Sequence, residues 1–121
     1  MGCQNGRVIT RATTVLDWQQ LREVTLDDSD LMREIVGALI DDTAKQIPLL
    51  EAAIREKDPH ATRRLAHYSK GACANVGANL AAAALENIEL TAARSDFHEC
   101  GASLKKLALA IDQLRHEAFP A

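Results

Sequence analysis

His67 and Lys70 stand three residues apart, and Gly71, Ala72, Cys73 and Ala74 follow directly. On a helix that spacing places the imidazole and the ammonium on one face, a turn apart. An unperturbed imidazole is largely neutral at pH 7, so one ring nitrogen keeps a lone pair for nucleophilic or proton-transfer chemistry. The ammonium beside it is a fixed positive charge. Gly71 and Ala74 present almost no side chain, which leaves His67 above a flat surface that a second protein can approach. A glycine within a helix costs roughly 1 kcal/mol relative to alanine.

Counting by threes and fours divides this helix into two faces. Thr62, Leu65, Ala66, Ser69, Ala72, Cys73 and Val76 form a continuous inward stripe. His60, Arg63, Arg64, His67, Lys70, Gly71 and Ala74 point outward. The Ser69 hydroxyl, on the inward side, is expected to bond the carbonyl one turn earlier.

Other chemistry-bearing residues form no comparable set. His98, Glu99 and Cys100 are consecutive and therefore point in different directions around a helix, which speaks against a joint metal site. His98 and His116 read as surface residues. Asp41, Asp42, Glu86 and Glu89 read as the solvated face of amphipathic helices, and no chemistry is assigned to them. Cys73 belongs to the inward stripe, where a thiol behaves as a small inert hydrophobe. The chain has no G-x-x-x-x-G-K-[ST] loop. Gly71 to Gly77 has the wrong spacing and is followed by Ala78 where a lysine is needed, so no ATP-binding or kinase site is expected.

Five helical segments must position these residues. The piece TVLDWQQLREV from Thr14 is a short amphipathic helix whose Val15, Leu16, Trp18 and Leu21 cap one end of a bundle, with Trp18 as a lid on the core. A long helix from about Ser29 to Lys57 carries Met32, Ile35, Val36, Leu39, Thr43, Ile47, Leu50 and Ile54 on one stripe, with a kink expected at Pro48. Asp58 and Pro59 start the helix that bears His67, which runs to about Gly77. Asn79 is expected to cap the fourth segment and Ser95 the fifth, whose stripe is Leu104, Leu107, Ile111 and Leu114. Short connections make neighbouring helices antiparallel, and one apolar face per helix is buried most economically in a bundle. The fold class is therefore all-α: an antiparallel up-down-up-down four-helix bundle with an additional short N-terminal helix. Residues 1–13 lack helical periodicity and are read as a flexible leader; residues 14–121 form one domain.

Composition limits the function. Of the 121 residues 47% are hydrophobic but only 3% aromatic, which suits closely packed helices of Leu, Ile, Val and Ala. A net charge of -3 argues against a general nucleic-acid binder. Three cysteines, Cys3, Cys73 and Cys100, without C-x-x-C spacing suggest neither a disulfide framework nor zinc. No apolar run approaches a membrane span, no signal peptide is evident, and Gly6 breaks the myristoylation pattern, so the expected location is the cytoplasm.

The stretch His67, Lys70, Gly71, Ala72, Val76, Gly77 resembles the motif of histidine-containing phosphotransfer (HPt) domains of two-component phosphorelays: H-x-x-K-G, small residues, an apolar residue and a second glycine. Ser69 departs from the family's usual apolar residue at that place. The family fold is a four-helix bundle with a short additional helix, so the resemblance extends over nearly the whole chain from residue 14. It implies that His67 accepts a phosphoryl group from a phospho-aspartyl receiver domain and passes it to another receiver. It implies that Lys70 stabilises the phosphoryl oxygens, worth ~4 kcal/mol for unit charges 4 Å apart at a dielectric of ~20 and less through water. Gly71 would allow close approach, and His60, Arg63, Arg64 and Ala74 would dock the receiver. The implied partners are response-regulator receivers and a hybrid histidine kinase, with no cofactor on this chain and magnesium on the receiver alone. The protein would be a phosphocarrier rather than an enzyme, and a monomer, since transfer needs the His67 face free. The alternative of another class is a binding module of the same fold that docks a receiver or kinase without being phosphorylated.

Overall fold

A computed structural model describes residues 14–120. Residues 1–13, read above as a leader and containing Cys3, lie outside the described residues. The elements are α1 (Trp18–Thr25), α2 (Ser29–Arg55), α3 (Pro59–Val76), α4 (Asn79–Ala93) and α5 (Phe97–Ala118), with no strand among the described residues.

Four of the five helices begin at an aspartate whose carboxylate accepts the backbone N–H three residues on. The pairs are Asp17 with Gln20, Asp28 with Leu31, Asp58 with Ala61 and Asp96 with Glu99, at 3.0 to 3.2 Å. Each such cap contributes about 1 kcal/mol. Turns of two or three residues then force antiparallel packing. The helices close a ring, α2 on α3, α3 on α4, α4 on α5 and α5 on α2, while α1 touches α2 and α3. The core inside this ring is built from Val36, Leu39 and Leu50 of α2, Leu85 and Ile88 of α4, and Leu107, Ile111 and Leu114 of α5.

The most deeply buried side chains of α3 are all small: Thr62, Ala66, Ser69 and Cys73. Small side chains let α3 approach its neighbours closely, which brings the outward faces of α3 and α4 together.

Several local expectations are corrected. Ser95 does not cap α5; it adopts a left-handed conformation with φ 57, and its neighbour Asp96 supplies the cap. Asn79 is the first residue of α4 rather than its cap, and its side-chain amide donates to Thr14 Oγ1 at 3.2 Å. The backbone carbonyl of Thr14 accepts the Leu80 N–H instead, at 2.8 Å. Trp18 is 38% exposed and is no lid; its indole N–H donates to Glu117 Oε2 at 3.0 Å and ties α1 to α5. Ser69 is buried, but its hydroxyl makes no hydrogen bond among the described residues. The hydroxyls of Thr62 and Thr91 do reach back one turn, to Asp58 and Asn87, both at 2.8 Å. A branched threonine is held by its methyl group in rotamers that reach that carbonyl, and serine lacks the constraint.

Gly77 ends α3 at φ 94, and a Cβ there would lie 3.0 Å from the Asp17 carbonyl oxygen. The Asp17 N–H donates to the Gly77 carbonyl at 2.8 Å, and Gln20 Nε2 donates to the carbonyl of Ala74 at the same distance. The strand of chain leading into α1 thus clasps the α3–α4 turn and fixes the two helices that carry the site.

Candidate functional site

The outward face of α3 is as its spacing implies. His60, Arg63, Arg64, His67, Gly71 and Ala74 are exposed and Lys70 is half-buried. The His67 side chain is 70% exposed and that of Lys70 28%. A Cβ on Gly71 would meet nothing within 4 Å, so packing does not require glycine at this position. The absence of a side chain beside His67 therefore has no structural explanation within the bundle.

The residue that organises the site comes from α4. Glu89 Oε2 lies 3.0 Å from His67 Nδ1, and Glu89 Oε1 lies 2.9 Å from Lys70 Nζ. One carboxylate thus bridges both residues from the neighbouring helix. Its Oε1 is shielded from solvent and makes no aligned hydrogen bond, so its link to Lys70 is a contact of charges. Partial burial pushes the Glu89 carboxyl up, but the adjacent Lys70 ammonium, followed by the hydrogen bond and charge of His67, outweighs it and holds the group below its ordinary 4.5. An ionised carboxylate only accepts hydrogen bonds. Nδ1 of His67 must then be the donor, which leaves Nε2 of the neutral ring as the nitrogen with the lone pair.

In sequence Glu89 reads as part of a solvated face without chemistry; its bridge to His67 and Lys70 corrects that reading, and no local pattern marks it. A geometric clue exists all the same. In a helical hairpin, residues equally distant from the turn come level with each other, and His67 and Glu89 each stand eleven positions from Ala78 (78 − 67 and 89 − 78).

Two depressions flank the bridge. One is lined by His60, Arg63, Arg64, His67 and Glu89 and is basic; the other is lined by Lys70, Gly71, Ala74, Asn79, Ala82, Ala83 and Glu86 and has a floor of small side chains. A further groove between α4 and α5 is mostly apolar, with Leu80, Ala84 and Leu109 among its walls, and lies away from His67. Among the described residues no group of three or more His, Cys, Asp or Glu side chains is gathered as metal ligands. No helix among them is long and apolar enough to cross a membrane. Cys73 is buried within 3.9 Å of Thr43 Oγ1, and burial pushes its thiol up to about 11. It is an inert part of the core, as the stripe on α3 implies.

His67 thus presents one oriented imidazole on an open face of the bundle. A family model described as the Hpt domain matches residues 34–117, and the chain belongs to that family. The crystal structure of histidine-containing phosphotransfer protein B (HptB) from Pseudomonas aeruginosa PAO1 has the same fold. Its TM-score is 0.79 at 24% identity, and the match covers 88% of this chain and 92% of that one. The comparison with curated proteins gives no significant match. Family membership carries a histidine phosphotransfer role in phosphorelays, in which Hpt proteins act with receiver domains and kinases as phosphocarriers and not as kinases.

Proposed function

We propose that His67 is the phosphoacceptor, taking a phosphoryl group from the phospho-aspartate of one receiver domain and returning it to the aspartate of another. The observation that carries this reading is the 3.0 Å bond from His67 Nδ1 to Glu89 on an otherwise open ring. It fixes the tautomer with Nε2 available for attack, and the ring's exposure lets it enter a partner's site.

In the forward step the Nε2 lone pair attacks phosphorus in line. A P–N bond forms, the P–O bond to the receiver's aspartate breaks, and the aspartate carboxylate leaves with its electron pair. The ring becomes a phosphoimidazolium that still holds its Nδ1 proton. The Glu89 carboxylate faces the positive charge that develops there and acts as a positioning residue. Lys70 lies one turn away and offers its ammonium to the phosphoryl oxygens. Gly71 and Ala74 keep the ground beside the ring clear for the partner's backbone, while His60, Arg63 and Arg64 draw the acidic pocket of a receiver toward it. The receiver brings the magnesium and the groups that activate its own aspartate.

In this reading residues 14–121 are the carrier domain, active as a cytoplasmic monomer between a hybrid histidine kinase and response regulators, without contact to nucleic acid or membrane. Incubation with a phosphorylated receiver tests it. The protein should gain label that is acid-labile and alkali-stable, as a phosphoramidate is, and His67→Gln should gain none. Stable binding of receivers without any label would make the chain a docking module instead.

A further inference from the structure

The charges around His67 do not balance in the unphosphorylated protein, and the surplus lies on one side. Lys70 is already matched by Glu89 at 2.9 Å, so that pair is neutral as a unit. Arg63 and Arg64 have no ion-pair or hydrogen-bond partner among the described residues, although both are exposed and line a depression of about 290 Å³ together with His60, His67 and Glu89. They stand four and three positions before His67, which puts both residues one turn from it on its own face, and both line the depression beside its ring.

A phosphoryl group on nitrogen brings roughly the charge of a phosphate ester, about −1.5 to −2 near neutral pH, with three strong acceptor oxygens. Two uncommitted guanidinium groups supply an equal and opposite charge. Their planar forks match phosphate oxygens two at a time, which an ammonium cannot do.

Resting on the phosphocarrier reading, we infer that Arg63 and Arg64 form an oxyanion cradle that holds the phosphoryl group on His67 Nε2, so that they stabilise the phosphorylated protein itself and not only its encounter with a receiver. Lys70 and the arginines then have different duties. Lys70 divides its charge between Glu89 and the phosphoryl oxygens, while the arginines, with no carboxylate to answer, are given wholly to the oxygens.

Thermodynamics separates the two roles. A residue that only helps docking speeds transfer in both directions equally and leaves unchanged the equilibrium between free phospho-receiver and free phospho-carrier. A residue that binds the phosphoryl group shifts that equilibrium. The experiment measures the final distribution of label between a receiver domain and the full chain, dilute enough for the complex to dissociate, for the intact protein, Arg63→Ala, Arg64→Ala and the double variant. The double variant is expected to move the equilibrium toward the receiver by about ten-fold, a modest value because the groups are exposed and screened. The double lysine variant should recover only part of the loss, and the intact protein's preference should weaken with added salt. If the double alanine variant slows both directions by the same factor at an unchanged equilibrium, the arginines serve docking alone and the cradle is refuted. Failure of the underlying reading has a different signature, absence of label from the intact protein or label that survives His67→Gln.

Discussion

Replacing Glu89 perturbs the site at the point where two of its residues meet. Glu89→Gln keeps a carbonyl oxygen that can accept from His67 Nδ1–H but removes the charge; Glu89→Ala removes both. Unit charges 3.0 Å apart interact by about 1.4 kcal/mol at a dielectric of ~80 and about 5.5 kcal/mol at ~20. Because the His67 side chain is 70% exposed, the watery end of that range governs. The charge is then worth about ten-fold in rate wherever the ring becomes cationic in the transition state. Single-turnover transfer from a phosphorylated receiver, followed by rapid quench, should rank intact protein above Glu89→Gln by about ten-fold and Glu89→Gln above Glu89→Ala. The last gap arises because the alanine variant also frees the ring to adopt the other tautomer. A glutamine variant as fast as the intact protein would refute the electrostatic part of the reasoning, and an equally fast alanine variant would refute the positioning role altogether. Stability gives an independent check with a definite sign. A carboxyl held below its ordinary 4.5 stabilises the fold above that pH and loses the contribution as pH falls through the lowered value. The stability gap between the intact protein and Glu89→Gln should therefore be full at neutral pH and close only in acid below 4.5.

Other substitutions separate residues that serve the fold from those that serve the site. Gly77→Ala should destabilise the protein by about 1–3 kcal/mol in denaturant unfolding, because its φ of 94 is strained for alanine and the new Cβ meets the Asp17 carbonyl at 3.0 Å. Gly71→Ala should do the reverse and stabilise by about 0.5–1 kcal/mol, since its Cβ enters open space, yet slow receiver transfer by standing where a partner's backbone comes. Cys73, buried and pushed up to about 11, should resist alkylation at pH 8 in the native protein and react on unfolding, as peptide mapping would reveal.

The parts of this protein that repeat along the chain were legible in its sequence, and those that depend on distant partners were not. The faces of α3 follow from spacing alone, so the exposure of His67, Arg63 and Arg64 and the burial of Ala66 and Cys73 agree with the count by threes and fours. The bundle follows from four apolar stripes and short turns. Ser95 and Asp96 are both good capping types for α5, and only the backbone conformation decides for Asp96 over the expected Ser95. The start of α4 is not legible locally, because its Leu80 N–H finds its partner in the Thr14 carbonyl, far away along the chain. Trp18 reads in sequence as a lid on the core, whereas its indole N–H finds Glu117 at the surface, a partner 99 positions away. Glu89 is illegible for a similar reason: its importance lies in facing α3, and on α4 it is one carboxylate among others until the hairpin is folded about Ala78.

The central claim is that phosphorus is carried on Nε2 of His67, with Nδ1 still bonded to Glu89. Long-range ¹H–¹⁵N NMR of the freshly phosphorylated protein measures this directly, since it distinguishes the two ring nitrogens in each of the four histidines. The account predicts a phosphorus-coupled Nε2 and a protonated Nδ1 in His67, with His60, His98 and His116 unchanged. Phosphorus on Nδ1 of His67, or on any other histidine, would contradict it.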